Sequence, residues 1–187
     1  MSTVKKELSD LRSRYPGAIF MSFHERVPQV AHDVFIAPGA VVVGDVHIKA
    51  EASIWFNAVI RADVNRVEIG SGTNIQDGAV VHVSDDYPTI IGDDVVVGHR
   101  AIVHACHVNS SVLIGMGATI LDGSIIESGS IIGANALVTE GANIQASSLY
   151  LGVPAKRARS CADEEIQGIA KLAAKYRKMA ASYTHSL

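Results

Sequence analysis

The chain has 187 residues, a formal net charge of −3 and a hydrophobic content of 48%, of which aromatic residues contribute little. These values predict one globular core built from small aliphatic side chains. The weak negative charge argues against a nucleic-acid partner, no apolar stretch reaches membrane-spanning length, and two cysteines are too few for a disulfide scaffold.

Residues 1–33 are predicted to form an N-terminal lead-in and a first strand. Val4, Leu8 and Leu11 recur at helical spacing and indicate a short helix. The charged residues up to Arg14 leave no room for the apolar core of a secretory signal. We therefore expect a cytoplasmic protein without a membrane partner.

Residues 34–154 contain aliphatic side chains at every sixth position. Neither a helical period nor simple alternation produces this spacing. A period of six is typical of a parallel β-helix, in which three hexapeptides form one coil and the inward side chains stack into a shared core. The sequence predicts an all-β solenoid of six to seven coils. Its last unbroken run contains Val108, Ile114, Ile120, Ile126, Ile132, Val138 and Ile144.

The repeat loses its register at three places, residues 61–68, 82–90 and 98–107. His82 and His104 each follow an inward valine, so strand alternation directs both imidazoles outward. Polar side chains collect in these breaks: Arg61, Asp63, His82, His99 and His104.

Three neutral imidazoles with an open fourth position are typical of a catalytic zinc site. Outward histidines on a flat face cannot enclose a metal, so we expect a neighbouring subunit to complete such a site. Histidine is also a common solvated surface residue, and spacing alone leaves both interpretations open. We interpret the remaining histidines as ordinary surface residues: His24, His32, His47, His107 and His185.

Residues 155–187 are predicted to form a C-terminal helix. Gly152-Val153-Pro154 ends the solenoid, because proline cannot donate to a strand ladder. We expect the helix to pack on the solenoid or on a neighbouring subunit. One face carries its apolar residues: Ile166, Ile169, Leu172, Ala173, Tyr176, Ala180 and Tyr183.

Several stretches together resemble the gamma-class carbonic anhydrase family, and the resemblance covers roughly residues 18–183. It implies a left-handed β-helix, a homotrimer, and hydration of carbon dioxide to bicarbonate by a metal-bound hydroxide. The stretches are Ile60-Arg61-Ala62-Asp63, Gly72-Thr73-Asn74-Ile75-Gln76-Asp77-Gly78, Val81-His82-Val83, Val97-Gly98-His99-Arg100-Ala101-Ile102-Val103-His104-Ala105-Cys106 and Leu113-Ile114-Gly115-Met116-Gly117-Ala118.

The resemblance implies zinc bound by His82 and His104 of one subunit and by His99 of its neighbour, although iron and cobalt accept imidazole too. Further roles follow from it: an ion pair between Arg61 and Asp77, a hydrogen bond from Gln76 to the hydroxide, a pocket lined by Asn74, a structural role for Asp63 and a position near the metal for Tyr176.

The chain also departs from the family pattern. Val64-Asn65 follows Asp63 where well-known members carry glutamate, and the loop after His82 is the short Ser84–Pro88. A slow or silent anhydrase, which would be a metal-binding scaffold protein, therefore stays open. A hexapeptide acyltransferase that uses coenzyme A is the other alternative, because it shares the solenoid.

Overall fold

The computed structural model describes residues 2–184, so the end of the predicted segment 155–187, including His185, lies outside the described residues. The predicted N-terminal helix is α1 (Thr3–Arg14), which buries Leu8 and Leu11. It packs against the first strand, β1 (Ile19–Met21).

Seven stacked coils form the body of the protein. In chain order they contain β1, β2 (Gln29–Val30) and β3 (Phe35–Ile36); β4 (Val41–Ile48) and β5 (Ser53–Ile54); β6 (Val59–Ile69) and β7 (Asn74–Ile75); β8 (Val80–His82), β9 (Thr89–Ile91) and β10 (Val96–Val97); β11 (Ile102–His104), β12 (His107–Val108) and β13 (Leu113–Ile114); β14 (Thr119–Ile120), β15 (Ile125–Ile126) and β16 (Ile131–Ile132); and β17 (Leu137–Val138), β18 (Asn143–Ile144) and β19 (Ser148–Leu151).

The coils stack in parallel and form a prism with three faces. Face 1 contains β1, the first halves of β4 and β6, then β8, β11, β14 and β17. Face 2 contains β2, the second halves of β4 and β6, then β9, β12, β15 and β18. Face 3 contains β3, β5, β7, β10, β13, β16 and β19, to which β20 (Lys156–Ser160) adds an antiparallel strand.

The hexapeptide residues form the inner core. Ile60, Val81, Val103 and Ile120 are register partners in successive coils of face 1, and all four are fully buried. Burying one such side chain stabilises the fold by about 1.5–3 kcal/mol. The predicted left-handed parallel β-helix is thus confirmed. Strand pairing runs from Ile19 to Ser160, beyond residues 34–154 at both ends, and the domain boundaries stay a prediction.

Face 3 is covered by the C-terminal helix, α2 (Asp163–Thr184). Ile169 and Ala173 are buried against Val96 of β10, and Arg177 forms an ion pair with Asp94. The predicted apolar stripe therefore packs on the solenoid of its own chain. Within residues 2–184, neither helix combines the length and apolar character needed to cross a membrane.

The outward rows of faces 1 and 2 differ in chemistry. Strand register places seven side chains in each row, one from each coil. On face 1 they are Ile19, Val41, Val59, Val80, Ile102, Thr119 and Leu137. On face 2 they are Gln29, His47, Glu68, Ile90, His107, Ile125 and Asn143.

Candidate metal centre

The register breaks lie at the corners of the prism and bring the predicted site residues to two edges. Residues 61–68 and 82–90 lie between faces 1 and 2, and residues 98–107 include the corners on both sides of β11. We call the edge between faces 1 and 2 the His-pair edge, because it carries His82 and His104. The edge between faces 3 and 1 is the His99 edge.

Two imidazoles face each other at the His-pair edge. His82 and His104 are register partners at the ends of β8 and β11, and each follows a fully buried valine. Nδ1 of His82 lies 3.0 Å from Nε2 of His104. A carboxylate flanks each ring on its other side: Nε2 of His82 lies 3.1 Å from Oδ1 of Asp63, and Nδ1 of His104 contacts Oδ1 of Asp122.

The two carboxylates determine where the ring protons lie. An ionised carboxylate only accepts hydrogen bonds, so the ring nitrogen that faces it carries the proton. Nε2 of His82 and Nδ1 of His104 are therefore the N–H groups. The nitrogens that face each other, Nδ1 of His82 and Nε2 of His104, are left with lone pairs. A cation between them could bind to both lone pairs. Histidines that bind metals usually donate their other ring N–H to a carboxylate, as these two do.

This donor arrangement fits part of a zinc site. Tetrahedral zinc holds imidazole nitrogens at about 2.0–2.1 Å, which places them about 3.3 Å from each other. The separation between His82 and His104 is close to that value. In the part of the chain that the structure describes, no three His, Cys, Asp or Glu side chains form a complete ligand group. One protomer thus presents two candidate ligands at this edge.

The carboxylate of Asp63, beside this pair of imidazoles, accepts hydrogen bonds from three different donors. These donors are Arg61, the backbone N–H of Val64 and His82. Burial raises the pKa of Asp63, but the hydrogen bonds from His82, Val64 and Arg61 outweigh it and lower the pKa to about 2. Asp63 is therefore ionised at neutral pH, where its charge favours a cation nearby.

His99 lies at the opposite side of face 1. It lies in the turn that precedes β11, whereas His104 ends that strand, so the two histidines lie at opposite ends of β11. Nδ1 of His99 lies 2.8 Å from Oδ2 of Asp77. The Asp77 carboxylate thus lies beside Nδ1, which leaves Nε2 as the ring nitrogen available to a metal.

The remaining predicted residues lie near the His99 edge. The side-chain amide of Gln76 donates to Oδ1 of Asn74 at 3.0 Å, and both side chains are buried. Tyr176 of α2 packs edge-on against Trp55 with ring centroids 5.4 Å apart. Trp55 directly follows β5 at the corner between faces 3 and 1, and burial and the charge of Asp77 raise the pKa of Tyr176.

The protomer divides the nine predicted residues between the two edges. The His-pair edge carries Arg61, Asp63, His82 and His104, whereas Asn74, Gln76, Asp77, His99 and Tyr176 belong to the His99 edge. Within one protomer Arg61 pairs with Asp63 and Asp77 with His99. The ion pair between Arg61 and Asp77 stays a prediction for a contact between subunits.

Asp122 contacts His104 but is absent from the residues predicted from the sequence. It lies within the unbroken hexapeptide run, whereas the predicted polar residues cluster at the register breaks. Its position 18 residues after His104 is the signal that could have found it. In this solenoid one coil has about that length, so the offset places Asp122 one coil beyond His104 on the same edge.

Two of the relatives to which the chain is similar are named carbonic anhydrases. The carbonic anhydrase of Geobacillus kaustophilus is 43% identical over 151 residues, which cover 81% of this chain and 83% of the relative. Gamma carbonic anhydrase 1 of Arabidopsis thaliana, a mitochondrial protein, is 43% identical over 169 residues. That match covers 87% of this chain but 62% of the relative, so the chain spans about three fifths of the plant protein's length.

A solved structure is similar over nearly its whole length. The hexapeptide transferase family protein of Anaplasma phagocytophilum gives a TM-score of 0.85 at 38% identity, covering 88% of this chain and 98% of that one. No protein-family model matches the chain. The identity to named carbonic anhydrases over most of the sequence is nevertheless decisive: the chain belongs to the gamma-class carbonic anhydrase family.

Proposed function

We propose that the protein is a metal-dependent carbonic anhydrase that interconverts carbon dioxide and bicarbonate. The observation that carries the proposal is the pair of facing imidazole nitrogens at the His-pair edge, which lie 3.0 Å apart on rings that each contact a carboxylate. Zinc suits such neutral nitrogen ligands, and iron and cobalt accept them too. His82 and His104 of one protomer hold the ion together with His99 of a neighbour.

The proposed assembly is a homotrimer that uses face 1 as its interface. Six of the seven outward residues on this face are aliphatic, and Ile19, Val80 and Ile102 are exposed in the protomer. An apolar surface of this extent is typical of a subunit interface. A closed cyclic trimer would bring the His-pair edge of each protomer to the His99 edge of the next and form three equivalent sites.

The side chains of the chain orient the reactants. A bound metal ion supplies a nucleophile near neutral pH by making water more acidic. Gln76 holds the attacking oxygen by a hydrogen bond, and Asn74 fixes the Gln76 amide and lines the pocket for carbon dioxide. Such positioning matters because a displacement of about 1 Å can cost about 10²-fold in rate. Asp63 and Asp77 hold the imidazoles of His82 and His99 in place.

Release of the proton is expected to be slow. Val64 is exposed and cannot carry a proton, and the amide of Asn65 donates to the backbone carbonyls of Ser84 and Asp85. Asn65 therefore ties the short loop to β6 at a place where a carboxylate would transfer protons. The exposed Asp85 and Asp86 lie on that loop. We expect the proton to pass to solvent buffer, and turnover to rise with buffer concentration.

Stopped-flow hydration of carbon dioxide by the zinc-loaded trimer tests this proposal. The wild type should show metal-dependent turnover, and His104→Ala should lose both metal and turnover. His107→Ala is the matched control, because His107 is exposed on face 2, and it should keep both. Equal rates for wild type and His104→Ala, with metal content measured on each, would exclude hydration at this site.

Acyl transfer from coenzyme A is a second candidate function, favoured by the family description of the Anaplasma structure. Calorimetric titration of coenzyme A into the trimer separates the two. Tight binding to metal-free protein without any hydration activity would support acyl transfer. Zinc-dependent hydration without coenzyme A binding would support the anhydrase, and bound zinc with neither activity would indicate a scaffold protein.

A further inference from the structure

The strongest remaining feature is a column of four side chains along the His-pair edge. Asp63, His82, His104 and Asp122 come from four successive coils, and each contacts the next. The two carboxylates occupy the ends of the column and the two imidazoles its middle. The resemblance to known families assigns a place to the first three residues and none to Asp122.

The backbone holds Asp122 firmly at its end of the column. The N–H of Gly123 donates to the carbonyl of Ala105 at 2.8 Å, and the carbonyl of Asp122 accepts from the N–H of Gly141 at 2.8 Å. Gly123 has a φ of +65°, and a Cβ there would lie 3.3 Å from the Tyr87 ring. The turn is thus fixed from the coils on both sides and from the loop beside it.

The two imidazoles depend on their carboxylates to different degrees. A neutral histidine side chain in water prefers the proton on Nε2, and a hydrogen bond at the other nitrogen can reverse that preference. His82 carries its proton on Nε2, facing Asp63, so its tautomer is the ordinary one. His104 must carry its proton on Nδ1 to present Nε2 to a metal. Its tautomer therefore requires an acceptor at Nδ1, and Asp122 is that acceptor.

We propose that Asp122 is a positioning residue that holds His104 in the Nδ1–H tautomer and so turns the Nε2 lone pair toward the metal ion. The role in metal binding rests on the proposed function, whereas the effect on the tautomer does not. Residues of this kind typically contribute about 10–100-fold to metal affinity. Asp122 touches neither substrate nor metal and acts through His104.

Two readouts on Asp122→Ala test the proposal in the trimer. Nitrogen-15 NMR of histidine-labelled, metal-free protein reports the tautomer of His104, and competition with a chelator reports zinc affinity. We expect His104 to shift from the Nδ1–H to the Nε2–H tautomer and zinc affinity to fall about 10–100-fold. Asp122→Glu, which keeps an acceptor, should restore part of both.

Glu140→Ala is the matched control. Glu140 and Gly141 form the corresponding turn one coil farther along, and Glu140 is exposed. This variant should leave the His104 tautomer unchanged and zinc affinity within about twofold, because Glu140 has no place in the column. Circular dichroism and sedimentation of each variant report whether fold and trimer persist.

The outcomes separate this proposal from the proposed function. An unchanged His104 tautomer in Asp122→Ala would overturn the positioning role, whatever the metal affinity. A shifted tautomer with unchanged zinc affinity would overturn its role in metal binding. Wild-type protein that binds no zinc would contradict the proposed function, while the tautomer measurement on metal-free protein would still decide the role of Asp122.

Discussion

Faces 1 and 2 of the solenoid share the same inner architecture but present opposite outer surfaces. Their inner rows are aliphatic and fully buried, as Val103 in β11 and Val108 in β12 illustrate within one coil. Their outer rows differ, because face 1 is almost entirely aliphatic whereas face 2 mixes charged, amide and imidazole side chains. The inner row determines the fold, and the outer row determines what each face can bind.

The candidate site residues lie along the two edges that bound face 1. Face 1 is bounded by the His-pair edge and the His99 edge, each of which carries imidazole nitrogens fixed by a carboxylate. The other edge of face 2 contributes none of the nine predicted residues. An apolar face between the two halves of the proposed metal site is the arrangement expected if subunits join through that face.

A charge on face 1 should have the largest effect. Ile102→Glu would bury a carboxylate in each copy of the proposed interface, and unpaired burial of this kind costs several kcal/mol. We expect the trimer dissociation constant to rise at least about 10³-fold, with loss of bound zinc. Sedimentation velocity and metal analysis measure both effects.

Ile125→Glu on face 2 provides the matched control for that substitution. Ile102 and Ile125 occupy equivalent outward strand positions, and each is 40% exposed in the protomer. The face 2 variant should remain a zinc-binding trimer. Dissociation of both variants, or of Ile125→Glu alone, would contradict the assignment of face 1 as the interface.

An intermediate effect is expected for the predicted ion pair between Arg61 and Asp77. These residues have separate partners within the protomer, so coupling between them should arise only in the trimer. A double-mutant cycle of Arg61→Gln and Asp77→Asn should give about 1–2 kcal/mol of interaction energy for trimer dissociation. A control cycle of Arg66→Gln and Asp77→Asn should give almost no interaction energy, because Arg66 pairs with Glu68. Equal coupling in the two cycles would count against the pair.

The smallest effect is expected at Tyr176. Tyr176→Phe keeps the ring that packs against Trp55 and removes only the hydroxyl, whose pKa the charge of Asp77 helps to raise. We expect the Tm to change by less than about 2 °C and carbon dioxide hydration by less than about threefold. Tyr183→Phe, which alters another ring beside Trp55, is the control. A loss of more than tenfold at Tyr176 alone would assign its hydroxyl a direct catalytic role.

Much of the fold follows from the sequence because one physical requirement repeats in every coil. Every coil must fill the same narrow interior with aliphatic side chains, and this requirement produces the period of six in the sequence. Examples of these side chains are Ile60, Val81, Val103 and Ile120. The outward direction of His82 and His104 follows from alternation after an inward valine. Such local rules suffice wherever a side chain's surroundings depend on its own strand.

Contacts between coils were harder to predict. Asp122 lies in a regular stretch and gains its role only because one coil places it beside His104. That contact depends on the geometry of the corner between two coils and is not encoded in the hexapeptide period. The pair between Arg61 and Asp77 likewise depends on a neighbouring subunit and stays a prediction, since Arg61 contacts Asp63 of its own strand within the protomer.

The central claim is that each metal site combines the His-pair edge of one protomer with the His99 edge of another. Refolding a 1:1 mixture of His99→Ala and His104→Ala chains tests it directly, since each variant alone lacks a ligand in every site. Random trimers should recover about a quarter of the wild-type zinc content and hydration, because a site needs one protomer of each kind in a fixed order. A mixture that stays as inactive and as metal-free as the separate variants would contradict a site shared between subunits.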